Sequence, residues 1–349
     1  MLIGGAFLTP RSRNVDVAGV TLETPVLIPS TTSRGMPYRP DGVSEAEEIL
    51  QLVNGQLGTA VLVSAFDIHH ETVPMACSLL GGTSREGVLL PSVVVVDSGG
   101  YETQSQWESG FVPIAEPVPR NYEYDDYLSV ISRLQPRNGL LVVSYDGPDL
   151  PAGPYAQQIK RALNLNTLEA AWDVLLKPPA GDTHAWEELA PVAAGLRTAT
   201  AIGVTVPELG PTLADRLMNL AQLRAVLDQA GVVAPIHVFG SLDPLLTPLY
   251  FAFGGELFDG LSWSRYAFRG GLSIHVDQAA LLDDQLDQDP GYVRGYRLLG
   301  NLQYLEGMKE RMRTYAAGPE SDFALFGEHS MAMRAVYEQV QERIARRGY

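Results

Sequence analysis

The sequence predicts an α/β protein built as a (β/α)₈ TIM barrel, with an N-terminal hairpin cap and a C-terminal helical appendage. Three observations carry that expectation. Eight short apolar runs recur along the chain with little polar alternation, as in parallel strands covered on both faces. Several intervals between them carry helical spacing, which gives the alternation a barrel needs. Several runs also end in an acid or a glycine, and a parallel barrel keeps its reactive groups at the carboxyl ends of its strands.

Taken in order, Val15–Val20 with Thr21 reads as a hairpin that caps the barrel bottom. The strand-like runs are Pro25–Pro29, Ala60–Ala65, Ser92–Val96, Gly139–Tyr145, Trp172–Leu176, Ala199–Val204, Pro235–Phe239 and Glu256–Leu261. Between the first two, Ser44–Val53 has helical spacing behind a capping serine. Leu213–Gln229 has it between the sixth and seventh. The stretch from Tyr101 to Gln135 is too long for a minimal connection, and Pro113, Pro117 and Pro119 mark a loop or small hairpin beside the rim. From Leu272 onward an acidic run, Leu282–Asp287, precedes two helical stretches, Tyr292–Ala316 and Glu328–Arg346. The expected division is a barrel with its cap over 1–271 and a helical appendage packed on it over 272–349.

The bulk numbers agree with a globular enzyme-sized chain. Its 349 residues are 46% hydrophobic and 19% charged, enough to bury a large core. The single cysteine, Cys77, leaves no disulfide framework and no Cys-rich zinc site. The opening residues lack the charged-then-apolar order of a signal peptide, and no apolar run is long enough to span a bilayer. A cytoplasmic protein without a membrane partner is expected. The net charge of −16 argues against general binding to phosphate backbones. Arg265, Arg269, Arg294, Arg297, Lys309, Arg311 and Arg313 concentrate near the C-terminus, and read first as solvated charges on helix faces.

The chemistry sits at strand ends. Asp97 closes Val93-Val94-Val95-Val96 and opens onto Ser98-Gly99-Gly100-Tyr101. Asp259 follows Leu257-Phe258 and precedes Gly260. Taken singly, each acid could equally cap a turn. Taken together, two carboxylates delivered to one rim can divide nucleophile and acid/base work, provided their environments differ. Asp146 ends the fourth run, Gly203, Val204 and Glu208 belong to the sixth, and Phe239 and Gly240 close the seventh. Tyr101 and Phe239 can enclose a planar heterocycle while carboxylates accept from its N–H groups. Arg265 stands where it can pair with Asp259 and keep it ionised. His69, His70, Glu71 and Cys77 match no common metal-ligand spacing, and His237 and His275 read as structural.

These motifs, in this order, resemble the tRNA-guanine transglycosylase family of queuosine and archaeosine synthesis and its DNA-modifying relatives. Asp97-Ser98-Gly99-Gly100-Tyr101 is similar to the family's Asp-Ser-Gly-Gly motif, and Phe258-Asp259 with Arg265 to its Phe-Asp…Arg motif. Thr24–Pro29, Ile202–Glu208 and Asn301-Leu302 resemble weaker family segments, so the likeness spans about residues 12 to 315. It implies a base exchange without a cofactor, in which guanine in a nucleic acid is replaced by a 7-deazaguanine. Asp259 would be the nucleophile and Asp97 the general acid/base. Asp146 would accept from the base, Tyr101 and Phe239 would stack on it, and the Val204 backbone, Glu208, Ser98 and Gly240 would complete the pocket. A homodimer or a partner subunit is also implied.

The departures bear on the acceptor. The family's zinc ligands are missing, since there is no cysteine near the C-terminus and Gly300 stands where the zinc histidine would be. No metal is expected. Glu102 replaces the usual Gln of the Asp-Ser-Gly-Gly segment, Trp263-Ser264 replaces Pro-Thr, and Leu176-Lys177 replaces a Gln. The expected acceptor is therefore open between tRNA, DNA of a 7-deazaguanine modification system, and a free nucleoside. A non-catalytic partner subunit is a further alternative.

Overall fold

Eight parallel strands close on themselves in a computed structural model that describes residues 10–80, 90–103, 120–135, 138–165, 170–318 and 322–347. An antiparallel hairpin comes first, β1 (Asn14–Val17) and β2 (Val20–Glu23). The barrel follows as β3 (Val26–Thr31), β4 (Ala60–Ser64), β5 (Val93–Asp97), β6 (Gly139–Val143), β7 (Ala171–Leu175), β8 (Ala201–Thr205), β9 (Ile236–Phe239) and β10 (Gly255–Gly260). The strands neighbour one another in chain order, and β10 pairs with β3 to close the ring. All eight expected runs are barrel strands.

The runs look uniformly apolar because both of their faces are buried, and the period of two sorts them into two cores. Leu27, Val61, Val63, Val94, Val96, Val142, Val174, Ile202, Val204 and Val238 pack outward against the helices. Val26, Ile28, Ala60, Leu62, Val93, Val95, Leu141, Val143, Leu175 and Leu257 fill the barrel interior. Val17 and Leu22 of the hairpin join that interior cluster, so the hairpin caps the barrel bottom. The same period carries the inward face on past the aliphatic layer. Ser30 stands two residues beyond Ile28, Asp97 two beyond Val95 and Asp259 two beyond Leu257. Barrel register thus delivers polar side chains to the carboxyl-end rim.

After β10 the chain forms a short antiparallel hairpin, β11 (Ala267–Arg269) and β12 (Leu272–Ile274), turning at Gly270-Gly271. This hairpin straddles the position where the sequence suggested that an all-helical appendage begins. The helix Pro290–Ala317 then docks on the segment between β10 and β11. Asn301 donates to the carbonyls of Trp263 and Tyr266 at 2.7 and 2.8 Å and accepts from the Phe268 amide at 2.8 Å. Arg297 donates to the Ser264 and Tyr266 carbonyls at 2.9 Å each. Burial pulls the Arg297 guanidinium down to about 10. Arg297 and Lys309 are therefore not the solvated charges expected, being 9% and 6% exposed. Arg297 turns inward onto fixed backbone oxygens, whereas Lys309 pairs with Glu306 on its own helix and reaches the Thr59 hydroxyl at 3.4 Å. Trp263 is fully buried and donates to the Ser30 carbonyl at 2.9 Å. The last helix, Ser330–Arg347, packs Met333, Tyr337 and Val340 into the outer core. Of the stretch from Tyr101 to Gln135, where a loop or small hairpin was expected, residues 104–119 with all three prolines lie outside the described residues, and Tyr124–Ser132 forms a helix. Among the described residues no helix is long and apolar enough to cross a membrane.

Candidate functional site

A cavity of about 440 Å³ opens at the carboxyl-end rim, and Asp97 and Asp259 both line it. Asp97 is the last residue of β5 and Asp259 the penultimate residue of β10. Neither is a turn cap. The turn after Asp97 is capped by Ser98, whose hydroxyl accepts from the Gly100 amide at 3.0 Å. The Asp259 side chain instead gathers partners from β3 and from β9 with the residue that follows it.

Asp97 lies among acids. Burial, followed by the charges of Glu102, Asp146 and Asp259, pushes its carboxyl well above the usual carboxylate range, with the Ser98 amide opposing. Glu102, on the helical turn Gly100–Thr103, shares this wall of the cavity. Its carboxyl is raised to about 7 by burial first and by buried Asp67 next, while Thr32 and Ser64 act against the rise. Both carboxyls on this side of the cavity are thus shifted toward the protonated form.

Asp259 lies among donors and is 6% exposed. The Ser30 hydroxyl donates to its Oδ2 at 2.7 Å, and the Gly240 amide donates to its Oδ1 at 3.1 Å. Gly240 has φ +77°, a left-handed conformation that glycine adopts without strain and that aims this amide into the site. His237 Nε2 stands 3.5 Å from Asp259 Oδ1, an ion-pair contact rather than a hydrogen bond. On its other side His237 Nδ1 lies 2.6 Å from Asp173 Oδ2. Burial opposes a charged ring there, but Asp173 and then Asp259 outweigh it and hold the imidazole up at about 9. The result is a buried carboxylate–imidazolium–carboxylate line ending at Asp259.

A third group forms the floor between β6, β7 and β8. Lys177 Nζ sits 3.1 Å from Asp146 Oδ2 and 2.7 Å from Glu208 Oε1. Burial opposes its charge, yet the two carboxylates keep the ammonium well above the usual lysine range. Thr205 donates to the other oxygen of Glu208 at 2.7 Å, and the Ser98 hydroxyl donates to Asp146. Gly100 faces Asp146 so closely that a Cβ would come within 2.1 Å of its Oδ1. No side chain fits there without expelling Asp146. Phe239 lies stacked on His237, with ring centres 3.9 Å apart, and the Arg34 guanidinium sits 4.4 Å from the Tyr101 ring centre.

Of the residues expected from the sequence, Asp97, Tyr101, Asp146, Glu208, Phe239, Gly240, Asp259 and Arg265 line this one cavity. Ser98, Gly99, Gly100, Gly203 and Val204 do not; they lie behind it. Ser98 holds Asp146, Gly100 leaves room for it, Gly99 packs against Phe66 and Tyr122, and Gly203 lies beneath Phe239. Val204 is fully buried on the outward register, facing the helices. His275 caps the helix Val276–Leu282, a structural role. His237 does more than the structural reading allowed, because it touches Asp259. Asp173 and Lys177 were not singled out as site residues. An acid inside Ala171-Trp172-Asp173-Val174-Leu175 was the available signal, since a lone charge in a buried strand needs a partner. Compared with known proteins, no family model and no curated protein matches this chain.

Proposed function

We propose that the protein is a base-exchange transglycosylase that replaces guanine by a 7-deazaguanine in a nucleic acid, through a glycosyl ester on Asp259. The observation that carries this reading is the contrast on one cavity between a buried Asp97 set among acids, which raise its carboxyl, and a donor-surrounded Asp259. Such a pair separates acid and nucleophile roles, as two-carboxylate glycosyl transfer requires. The motif resemblance supplies the choice of base.

In the first half-reaction an Asp259 oxygen bonds to the ribose C1′ as the bond from C1′ to the base nitrogen breaks. Asp97 gives its proton to the leaving guanine. In the second, the incoming base loses its ring N–H proton to Asp97 and its nitrogen takes C1′ back from Asp259. Ser30, the Gly240 amide and His237 orient the nucleophile and balance its charge. Asp146 accepts from the N–H groups on the edge of the base, Lys177 donates to its carbonyl oxygen, and Phe239 and Tyr101 cover its faces.

A free nucleoside is the second reading of the acceptor, favoured by the net charge of −16, which repels a polyanion. The deciding experiment incubates the protein with labelled guanine or a 7-deazaguanine and with tRNA, duplex DNA or guanosine in separate reactions. Label entering one acceptor identifies the substrate. No label in any acceptor, together with no heat of base binding, removes the enzyme reading and leaves a partner subunit.

A further inference from the structure

Asp173 does not line the cavity, yet a single side chain separates it from Asp259. We propose that Asp173 is a positioning residue for turnover: through His237 it favours the free Asp259 carboxylate over the Asp259 glycosyl ester, and so speeds the step in which the incoming base takes the sugar back. The inference rests on the base-exchange reading and deepens it by assigning one half-reaction to this line of residues.

Strand register makes the contact. Asp173 stands between Ala171 and Leu175 on the inward face of β7. His237 stands on β9, and β8 runs between these two strands. The β8 residue level with His237 is Gly203. A Cβ on Gly203 would come within 3.0 Å of Asp173 Oδ1 and 2.7 Å of the Phe239 ring. The missing side chain leaves a passage, and Asp173 Oδ2 reaches past β8 to His237 Nδ1 at 2.6 Å. His237 is level with Leu257 of β10, and Asp259 stands two residues farther on, so the line climbs toward the rim. Asp173 and His237 are both fully buried, and Phe239 stacks on the imidazole.

The hydrogens on the ring follow from the acceptors around it. Nδ1 meets a carboxylate oxygen, and Nε2 is buried 3.5 Å from Asp259 Oδ1, without a hydrogen-bond partner among the described residues. Oδ1 already accepts from the Gly240 amide and Oδ2 from the Ser30 hydroxyl. A lone pair on Nε2 would therefore set acceptor against acceptor, and a hydrogen on each ring nitrogen avoids this. The ring is then a cation. Burial opposes that charge, while Asp173 and then Asp259 outweigh burial and hold the imidazole up at about 9. The charges that act on the ring are thus Asp173 from β7 and Asp259 from β10, and β8 contributes only the bare Gly203.

A fixed cation at this place does not serve both half-reactions equally. When an Asp259 oxygen bonds to C1′, the carboxylate becomes a neutral ester and its attraction to His237 is lost. When the nitrogen of the incoming base bonds to C1′, the C1′–O bond breaks and its electron pair returns to Asp259 as a carboxylate facing His237. Stabilisation that grows as charge develops accelerates the step that develops it. Asp173 acts by holding the second ring hydrogen in a place where an isolated cation would be costly.

The test compares the parent with Asp173→Asn. Each is mixed with guanosine, tRNA or duplex DNA in separate reactions. Ester formation is the appearance of a covalent adduct, by intact mass for guanosine and by denaturing electrophoresis for the polynucleotides. Ester breakdown is the loss of that adduct after a 7-deazaguanine is added. The His237 ring is followed by ¹⁵N NMR at about pH 8, above the ordinary imidazole value of about 6.5. In Asp173→Asn breakdown should slow about 100-fold, the scale of losing one preorganised donor, while formation changes by less than about threefold. The adduct should therefore accumulate, and the ring should lose one proton. Asp173→Asn combined with His237→Gln leaves a neutral pair in place of the charged one, should accumulate adduct likewise, and decides the matter if the single variant folds poorly. Formation and breakdown slowed alike, or no accumulation of adduct, overturns the proposal and leaves Asp173 a structural residue. A ring that stays doubly protonated in Asp173→Asn overturns it as well. A parent that neither exchanges base nor forms an adduct counts against base exchange itself and removes the ester role with it, while a proton lost from the ring in Asp173→Asn would still show the pairing with His237.

Discussion

Asp97 and Asp259 each stand two residues past an inward-facing aliphatic side chain, at the same end of the same barrel. Their surroundings differ in kind. Around Asp97 the neighbours are Glu102, Asp146 and Asp259, with the Ser98 amide opposing them. Around Asp259 they are a hydroxyl, a glycine amide and a histidine held cationic by Asp173. The difference teaches that a strand-end acid acquires its role from what adjacent strands contribute at its level. β4 and the turn after β5 bring acid and hydroxyl groups to one side, whereas β3, β7 and β9 bring donors and an ion pair to the other.

The sharpest way to break this contrast is to remove the donor-surrounded acid. Asp259→Ala should cut exchange by at least about 10⁴-fold while base binding, measured by calorimetry, stays within about threefold. Mass spectrometry should lose any glycosyl adduct seen in the parent. Full activity in this variant would take the nucleophile role away from Asp259.

Removing the proton-holding acid should cost less. Asp97→Asn is expected to lower exchange by about 10²–10⁴-fold, the usual worth of a general acid/base. The parent should lose activity as pH rises through the raised Asp97 value, because the acid form is then depleted. That basic limb should vanish in Asp97→Asn, and its survival would assign the limb to another group.

The third probe tests the ion line behind Asp259. His237→Leu leaves Asp173 and Asp259 buried without their cation, and should destabilise the protein by about 3–5 kcal/mol in urea titration. The imidazole is raised from 6.5 to about 9, so its stabilisation is complete below about pH 6.5 and is lost as pH rises through about 9. The penalty should therefore be largest near pH 6 and shrink above pH 9. Adding Asp173→Asn should recover part of it. A penalty independent of pH would make His237 a packing residue only.

The smallest effect expected is at the floor. Lys177→Met should weaken base binding about 10-fold, the scale of a charge-assisted hydrogen bond, with little change in the rate once base is saturating. A larger loss in rate than in binding would move Lys177 from base recognition into the chemistry.

Much of the barrel was legible because buried parallel strands cannot hide. Val93–Asp97 and Gly139–Val143 are runs of aliphatics that no surface element would carry. The cavity-lining residues at strand ends, such as Asp97, Phe239 and Asp259, were legible for the same reason, since a barrel strand tells where its carboxyl end lies. The inward and outward sides were harder. Val204 and Gly203 differ by one residue, and only ring closure decides that Val204 faces the helices while Gly203 lies under Phe239. The ion line was hidden because Asp173 and His237 are far apart in the chain and lie in ordinary apolar strands. The hairpin Ala267–Ile274 was hidden because its strands are three residues each, too short for a periodic signal.

From the amino-acid order alone come the barrel, the hairpin under it, and the list of acids that reach its rim, because hydrophobic period and chain order decide which residues end a strand. Charge state is different. Whether Asp97 keeps a proton, whether His237 is cationic and whether Lys177 is shared between two carboxylates depend on distances between strands that closure sets. Electrostatic energy falls with distance and rises with burial, and neither quantity exists until the ring has closed.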